Sequence, residues 1–287
     1  MAFAYKFESA DLLGSSMTFL DLGIGETVLL GHGYLWDAEM WRPQIGVLAR
    51  HYRVIVPNLW GHGGSGPLPA GTRDLRDLAR HHLALMDHLG IERFAVAGLS
   101  IGGMWGAELA LLAPQRIAAL ALLDTFLGPE PQISRDRYVA LMDTIAIAKA
   151  IPEPMLDIIV PLFFAPSTVV RLPALPAAFR VKLRNWESGR LLDSVLPIGR
   201  MVFGRRDARS DLRGLPMPKL VLTGSDDIPR PVHEGQQMAA ILDCPFIEIR
   251  DAGHISTLEA AEQVTEHLVR FFVDSLGNKV TAQRSAV

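Results

Sequence analysis

Residues 94–110 read FAVAGLSIGGMWGAELA: an apolar run, a serine between two glycines, then a segment of helix formers. Gly98, Ser100 and Gly102 fit the pattern G-x-S-x-G. In that pattern a strand hands over to a helix through a turn so tight that its neighbours tolerate little but glycine, and the serine hydroxyl is pushed out above a sheet. The five-residue pattern is a modest signal alone; strand before and helix after give it weight. Ser100 is the candidate nucleophile, and a plain helix N-cap serine is the alternative.

A serine hydroxyl is a poor nucleophile until a base takes its proton. In IEIRDAGHIST, residues 247–257, His254 follows a glycine at the end of a strand-like run, and Ser256 and Glu259 are spaced as a capping box for a final helix. His51, His81, His82, His88, His233 and His267 sit on helix-like or helix-edge stretches, where a solvated face accounts for them. The base needs an acid to hold its tautomer, ideally from an earlier loop, so that the chain order is Ser, Asp, His. LVLTGSDDIPRP offers two candidates, Asp226 and Asp227; Asp227 is preferred, with Asp226 as a turn or capping residue, and Asp124, ending ALLD, is the rival. Two amides would serve an oxyanion: that of Ile101 beside the nucleophile and that of Tyr34 in LLGHGYLW, a loop shaped by His32 and Gly33.

Around this constellation strand-like and helix-like pieces alternate. YKFES, SMTFLDLG, ETVLLGHG, YRVIVPN, RFAVAG, IAALALLD, KLVLTG and PFIEIRD read as strands. Helical patterns at 38–50, 72–89, 102–114 and 231–242 separate most of the later ones, and another opens at Ser256. The alternation predicts an α/β fold with a mostly parallel sheet wrapped on both faces. Only helical, proline-punctuated stretches lie between about Leu127 and Asp211. The expected organisation is a core of 1–126 and 212–276, a helical cap at 127–211, and a frayed tail at 277–287.

The 287 residues are 49% hydrophobic and 21% charged, enough apolar material for a sizeable core. A net charge of −3 provides no basic field for nucleic acid or an anionic membrane. The single cysteine, Cys244, excludes an intramolecular disulfide and fits a reducing compartment. The start MAFAYKFESADLL lacks the parts of a signal peptide, and nothing reaches the roughly 18 apolar residues of a membrane span, so a cytoplasmic protein is expected. GHGGSG at 61–66 imitates a dinucleotide loop, but PLPAGT follows where a helix should open. The histidines show no H-E-x-x-H spacing and have no cysteine partners, so no metal site is expected.

Taken together, LLGHGYLWDAEMW, VIVPNLWGHGGSG, GLSIGGMWGAELALLAPQRIAALALLDT, LVLTGSDDIPRP and DAGHISTLEAAEQVTEHLVRFF resemble the α/β-hydrolases that include 3-oxoadipate enol-lactonases, small carboxylesterases and cofactor-free haloperoxidases. The resemblance implies an eight-stranded sheet with a helical cap after the sixth strand. It places the nucleophile on Ser100, the acid on Asp227, the base on His254 and the oxyanion donors on Tyr34 and Ile101. It implies hydrolysis of a small ester or lactone through an acyl-enzyme, with no cofactor and a small molecule as partner. Carbon–carbon bond hydrolysis or peracid formation on the same residues is the alternative, and a receptor with little turnover a further one. Serine at residue 100 argues against haloalkane dehalogenases and epoxide hydrolases, which need aspartate there.

The chain departs from the usual family pattern at Asn58, where aspartate is common, and at Trp60, where arginine is frequent. Trp36, Trp60, Met104 and Trp186 are the candidate substrate-binding residues, with Trp105 a further candidate wall; core packing is the alternative for each. Arg135, Arg137, Arg171, Arg180 and Arg184 of the cap are candidates to receive a carboxylate-bearing substrate, or a solvated face.

Overall fold

The structure, a computed structural model, describes residues 5–276; the tail assigned to 277–287 lies outside the described residues. The strands are β1 (Glu8–Leu12), β2 (Ser15–Leu22), β3 (Thr27–Gly31), β4 (Arg53–Pro57), β5 (Phe94–Leu99), β6 (Ile117–Leu123), β7 (Lys219–Gly224) and β8 (Phe246–Ile249). They form one eight-stranded sheet in the order β1-β2-β4-β3-β5-β6-β7-β8. The pairs β1–β2 and β2–β4 are antiparallel, and every other pair is parallel. The first strand starts at Glu8, three residues later than YKFES suggests, and turns into β2 at Leu13 and Gly14, both at positive φ.

Every residue of β3, β5 and β6 is buried, as parallel strands covered on both faces must be. Their side chains alternate between two cores. Val28, Leu30, Ala95, Ala97 and Leu99 face one, together with residues of α1 (Arg42–Leu48) and of α12 (Ala261–Leu276). Leu29, Val96, Leu120 and Leu122 face the other, with α2 (Leu75–His88), α3 (Ile101–Leu112) and α10 (Val232–Leu242). Between β6 and β7 the described chain has helices only: α4 (Gln132–Ala148), α5 (Glu153–Ile159), α6 (Pro166–Arg171), α7 (Ala174–Arg184), α8 (Ser188–Arg190) and α9 (Leu196–Phe203). A π-helical turn, Leu191–Val195, joins α8 to α9.

The helical pattern after His254 divides in two. A short α11 (Ser256–Glu259) breaks at Ala260 before α12 begins. The expected capping box is half formed: Ile255, not Ser256, is the N-cap, and Glu259 Oε1 accepts its N–H at 3.0 Å. Ser256 is the first residue of α11, and its hydroxyl donates to Asp124 Oδ2 at 2.5 Å.

The glycines around Ser100 are set by crowding. A Cβ on Gly98 would lie 2.2 Å from Gly102 O, and one on Gly102 would lie 2.2 Å from Gly31 O, so α3 sits directly on β3 and β5. Gly102→Ala is therefore expected to destabilise the protein by about 2 kcal/mol or more, in the upper range of overpacking costs. Gly189→Ala, in a helical turn with nothing within 4 Å of the new methyl, should be neutral or stabilising. Urea unfolding of the two variants checks the contrast, and equal midpoints would contradict it.

Candidate active site

Ser100 lies between β5 and α3 with φ 56° and ψ −119°, a conformation that a side chain adopts only under constraint. Three hydrogen bonds hold it. Its N–H donates to Leu123 O at 2.9 Å, and its carbonyl accepts from Met104 N–H at 2.9 Å and from Thr125 Oγ1 at 2.7 Å. Ile101 is the first residue of α3, so its amide belongs to the turn whose N–H groups have no intrahelical acceptor.

The structure brings Ser100, His254 and Asp227 into one hydrogen-bonded line. His254 Nε2 is 3.0 Å from Ser100 Oγ, and His254 Nδ1 is 3.0 and 2.9 Å from Asp227 Oδ1 and Oδ2. Nδ1 must carry the proton to face a carboxylate, which leaves Nε2 as acceptor for the serine hydroxyl. All three residues are buried, with exposures of 7, 4 and 4% respectively. Burial holds the His254 pKa down at about 4, so the ring is neutral at neutral pH. Burial pushes the Asp227 carboxyl up, against the opposing hydrogen bond and charge of Arg230.

Asp124 directly follows β6 and is wholly buried, yet it is turned to other work. Its Oδ1 accepts from Gly224 N–H at 2.8 Å and its Oδ2 from Ser256 Oγ. It thus ties the loop of Asp227 to the loop of His254 without bonding the imidazole. Burial, and then the neighbouring Asp227, push its carboxyl well above the ordinary range. Asp226 is exposed and accepts from Ser225 Oγ.

The loop after β3 runs against the serine: a Cβ on Gly33 would lie 3.8 Å from Ser100 Cβ. His32 pins this loop, donating from Nδ1 to Gly33 O at 2.8 Å and accepting Leu59 N–H on Nε2 at 2.9 Å. Burial, with the nearby His62, lowers its pKa to about 3, so it is a neutral structural ring. The amides flanking Tyr34 are committed, Gly33 N–H to Met40 Sδ and Leu35 N–H to His62 Nε2. The Tyr34 hydroxyl donates to Val195 O at 2.9 Å.

Ser100 and His254 open into a cavity of about 100 Å³ whose apolar wall includes Met104, Leu141, Ile145, Leu162, Phe163 and Val195. Of the candidate wall residues only Met104 lines it. Trp36 stacks on Phe179 at 4.6 Å, Trp186 meets His62 edge-on at 5.1 Å, and Trp60 donates Nε1–H to His81 Nδ1 at 3.0 Å. Trp105 stacks on His82 at 3.7 Å. Hence His81 and His82 are buried rather than solvated, His81 against Trp60 and His82 against Trp105 of α3. Asn58 links β2 to the segment after β3, donating from Nδ2 to Thr18 Oγ1 and accepting Ala38 N–H on Oδ1.

None of the five candidate arginines lines the cavity. Arg180 and Arg184 pair with Glu153, and Arg171 donates to Asp251 O. The charged groups in the wall are Glu130, Arg205 and Arg230, none of which the sequence reading singled out. Arg230, three residues beyond Asp227 in the same loop, was the traceable signal. Among the described residues no group of three His, Cys, Asp or Glu side chains could hold a metal ion, and no helix is long and apolar enough to cross a membrane.

Residues 26–155 match the family model of the alpha/beta hydrolase fold. The chain is 32% identical over 268 residues, 92% of its length and 68% of the other's, to the dihydrolipoyllysine-residue acetyltransferase component of the acetoin cleaving system of Pseudomonas putida. It is similar in structure to a thermophilic esterase from Thermogutta terrifontis, with TM-score 0.83, 27% identity, and coverage of 94% of this chain and 99% of that one. It is also similar to the enol-lactonase from Burkholderia xenovorans, with TM-score 0.81, 26% identity, and coverage of 93% and 100%.

The placement of Trp60 leads to a test. Trp60→Phe removes one buried hydrogen bond and leaves His81 Nδ1 without its donor, which should cost about 1 kcal/mol in urea unfolding. KM for a small ester should not change, since the indole does not reach the cavity; a raised KM would return Trp60 to the substrate wall.

Proposed function

The chain belongs to the α/β-hydrolase family, and we propose that it is a serine hydrolase cleaving a small, uncharged ester or lactone through an acyl-enzyme on Ser100. The observation that carries this reading is the line Ser100–His254–Asp227, closed by hydrogen bonds and opening into an apolar cavity. In this reading Ser100 Oγ attacks the carbonyl carbon while its proton passes to His254 Nε2, and Asp227 stabilises the imidazolium. The oxyanion receives the amides of Tyr34 and Ile101. Collapse of the tetrahedral adduct expels the alcohol, which takes the proton from Nε2; water then repeats the cycle and frees the acid. The helices between β6 and β7 act as a cap that keeps the acyl group from solvent.

The choice of an uncharged substrate comes from the wall. Its two guanidinium groups already face carboxylates, Glu130 within the wall and Glu234 behind it, so the cavity offers an incoming anion no surplus positive charge. The names of the two structural relatives, an esterase and an enol-lactonase, support the ester or lactone class.

A fluorophosphonate should label the wild type at Ser100 and leave Ser100→Ala unlabelled; labelling elsewhere, or none in folded wild type, would overturn the assignment. Turnover on a panel of neutral esters, lactones, a carboxylate-bearing ester and a vinylogous diketone should favour the neutral esters or lactones. Preference for the diketone would move the reading to carbon–carbon cleavage. Asp227→Asn should lower kcat by about 10⁴-fold, the cost of a lost tautomer. Asp124→Asn should act mainly on stability, and a larger kcat loss there would transfer the acid's role.

The pH dependence has a definite sign. His254 must be neutral to accept the serine proton, so activity is lost as pH falls through its pKa. With that pKa held near 4, the acid limb of kcat/KM should lie well below the 6.5 of an ordinary imidazole. A limb centred at or above 6.5 would contradict the buried environment.

A further inference from the structure

Three buried charges in the cavity wall have no role in the steps above. Glu130 lies two residues before α4, where the helical segment begins, and Arg205 two residues after α9, where it ends. Arg230 lies three residues after Asp227. Glu130 Oε2 accepts from Arg205 Nη1 at 2.8 Å, and both Glu130 oxygens accept from Arg230 Nη2 at 2.8 Å. The side chains of Glu130, Arg205 and Arg230 are 2, 2 and 7% exposed.

Charges buried this deeply gain little stability over an apolar wall of the same volume, while removing one partner leaves the others uncompensated. What the cluster supplies is a fixed geometry. Arg205 Nη1 also donates to Val202 O at 3.0 Å, which binds the end of α9 to the cluster. The backbone N–H of Arg230 donates to Asp227 Oδ1 at 2.8 Å, the same oxygen that lies 3.0 Å from His254 Nδ1. A continuous path therefore runs from both ends of the helical segment, through Glu130 and Arg230, to the carboxylate that orients the imidazole.

We propose that Glu130 is a positioning residue: by clamping the Arg230 guanidinium it holds the Arg230 amide against Asp227, and with Arg205 it makes that clamp depend on the seating of the helical segment. The proposal rests on the hydrolase reading above. Glu130 transfers no proton and does not contact the reacting bond. It acts through Arg230.

The test uses Glu130→Gln and Glu130→Asp, with active sites counted by fluorophosphonate titration and with kcat and KM for a neutral ester measured across pH. In Glu130→Gln, kcat per titrated site should fall tenfold or more while KM changes less than threefold. The groups facing the imidazole are Asp124 from the loop after β6, Asp227 and Arg230 from the acid loop, Glu234 from α10 and Glu259 from α11. Without the Glu130 charge, Arg230 faces them less compensated and disfavours the imidazolium, so the acid limb should move to lower pH. Glu130→Asp keeps the charge but shortens the clamp; its kcat should be intermediate and its acid limb should stay at the wild-type position.

Wild-type kcat per site in whichever of the two variants folds, or a lowered melting temperature with kcat and the acid limb unmoved, would overturn the proposal. A wild type that fails to label at Ser100 would instead sink the hydrolase reading.

Discussion

The backbone of Ser100 is the constraint on which the site depends. A non-glycine residue at φ 56° and ψ −119° stores roughly 1–3 kcal/mol of strain, which surrounding contacts must offset. They do so because α3 lies almost in backbone contact with β3 and β5, through glycines that cannot carry a side chain. The same closeness fixes the loop after β3 beside the serine, and the Thr125 hydroxyl ties the elbow to the loop after β6. Loosening this packing would free the turn to relax, and the hydroxyl would leave the line of the imidazole.

Charge and burial have to be reconciled around that serine. The cavity wall is mostly apolar, which keeps water away and holds His254 neutral. Yet Asp124, Asp227, Glu130, Arg205 and Arg230 are buried within the same region. Each is tolerated because it is bonded: Asp124 to a backbone amide and a hydroxyl, Asp227 to an amide and the imidazole, and the other three to one another. Such a network stabilises one arrangement of loops and penalises others, because any displacement would leave a charge without its partner in a low-dielectric setting.

What the sequence made legible follows from how local each signal is. The elbow was readable because its glycines, its strand and its helix are contiguous. His254 and Asp227 were readable because both sit in short loops leaving apolar strands, and the parallel alternation that brings those strand ends to one edge is itself a sequence pattern. The tryptophans were not. Whether an indole meets the cavity depends on the packing of elements distant in sequence: Trp60 is spent on His81 of α2, and Trp36 on Phe179 of α7. His81 and His82 look like a polar edge of α2, but α2 packs against α3 there and Trp105 covers the imidazole of His82. The Glu130–Arg230 pair spans 100 residues, and no local pattern announces it.

The helical segment between β6 and β7 is also bound to the loop of the histidine. His254 N–H donates to Phe163 O at 3.1 Å, and Glu259, which accepts Ile255 N–H, accepts Ala165 N–H at 2.7 Å with its other oxygen. A Cβ on Gly253 would lie 2.5 Å from Ala165 N, so glycine there is what lets the two backbones meet. The Phe163 ring stands edge-on to the imidazole at 5.6 Å. The segment therefore bonds the loop of His254, while its two ends meet at Glu130, which bonds Arg230 in the loop of Asp227. These contacts reach the backbone of His254 and, through Arg230, the carboxylate of Asp227, so the helical segment and the line Ser100–His254–Asp227 share one packing arrangement.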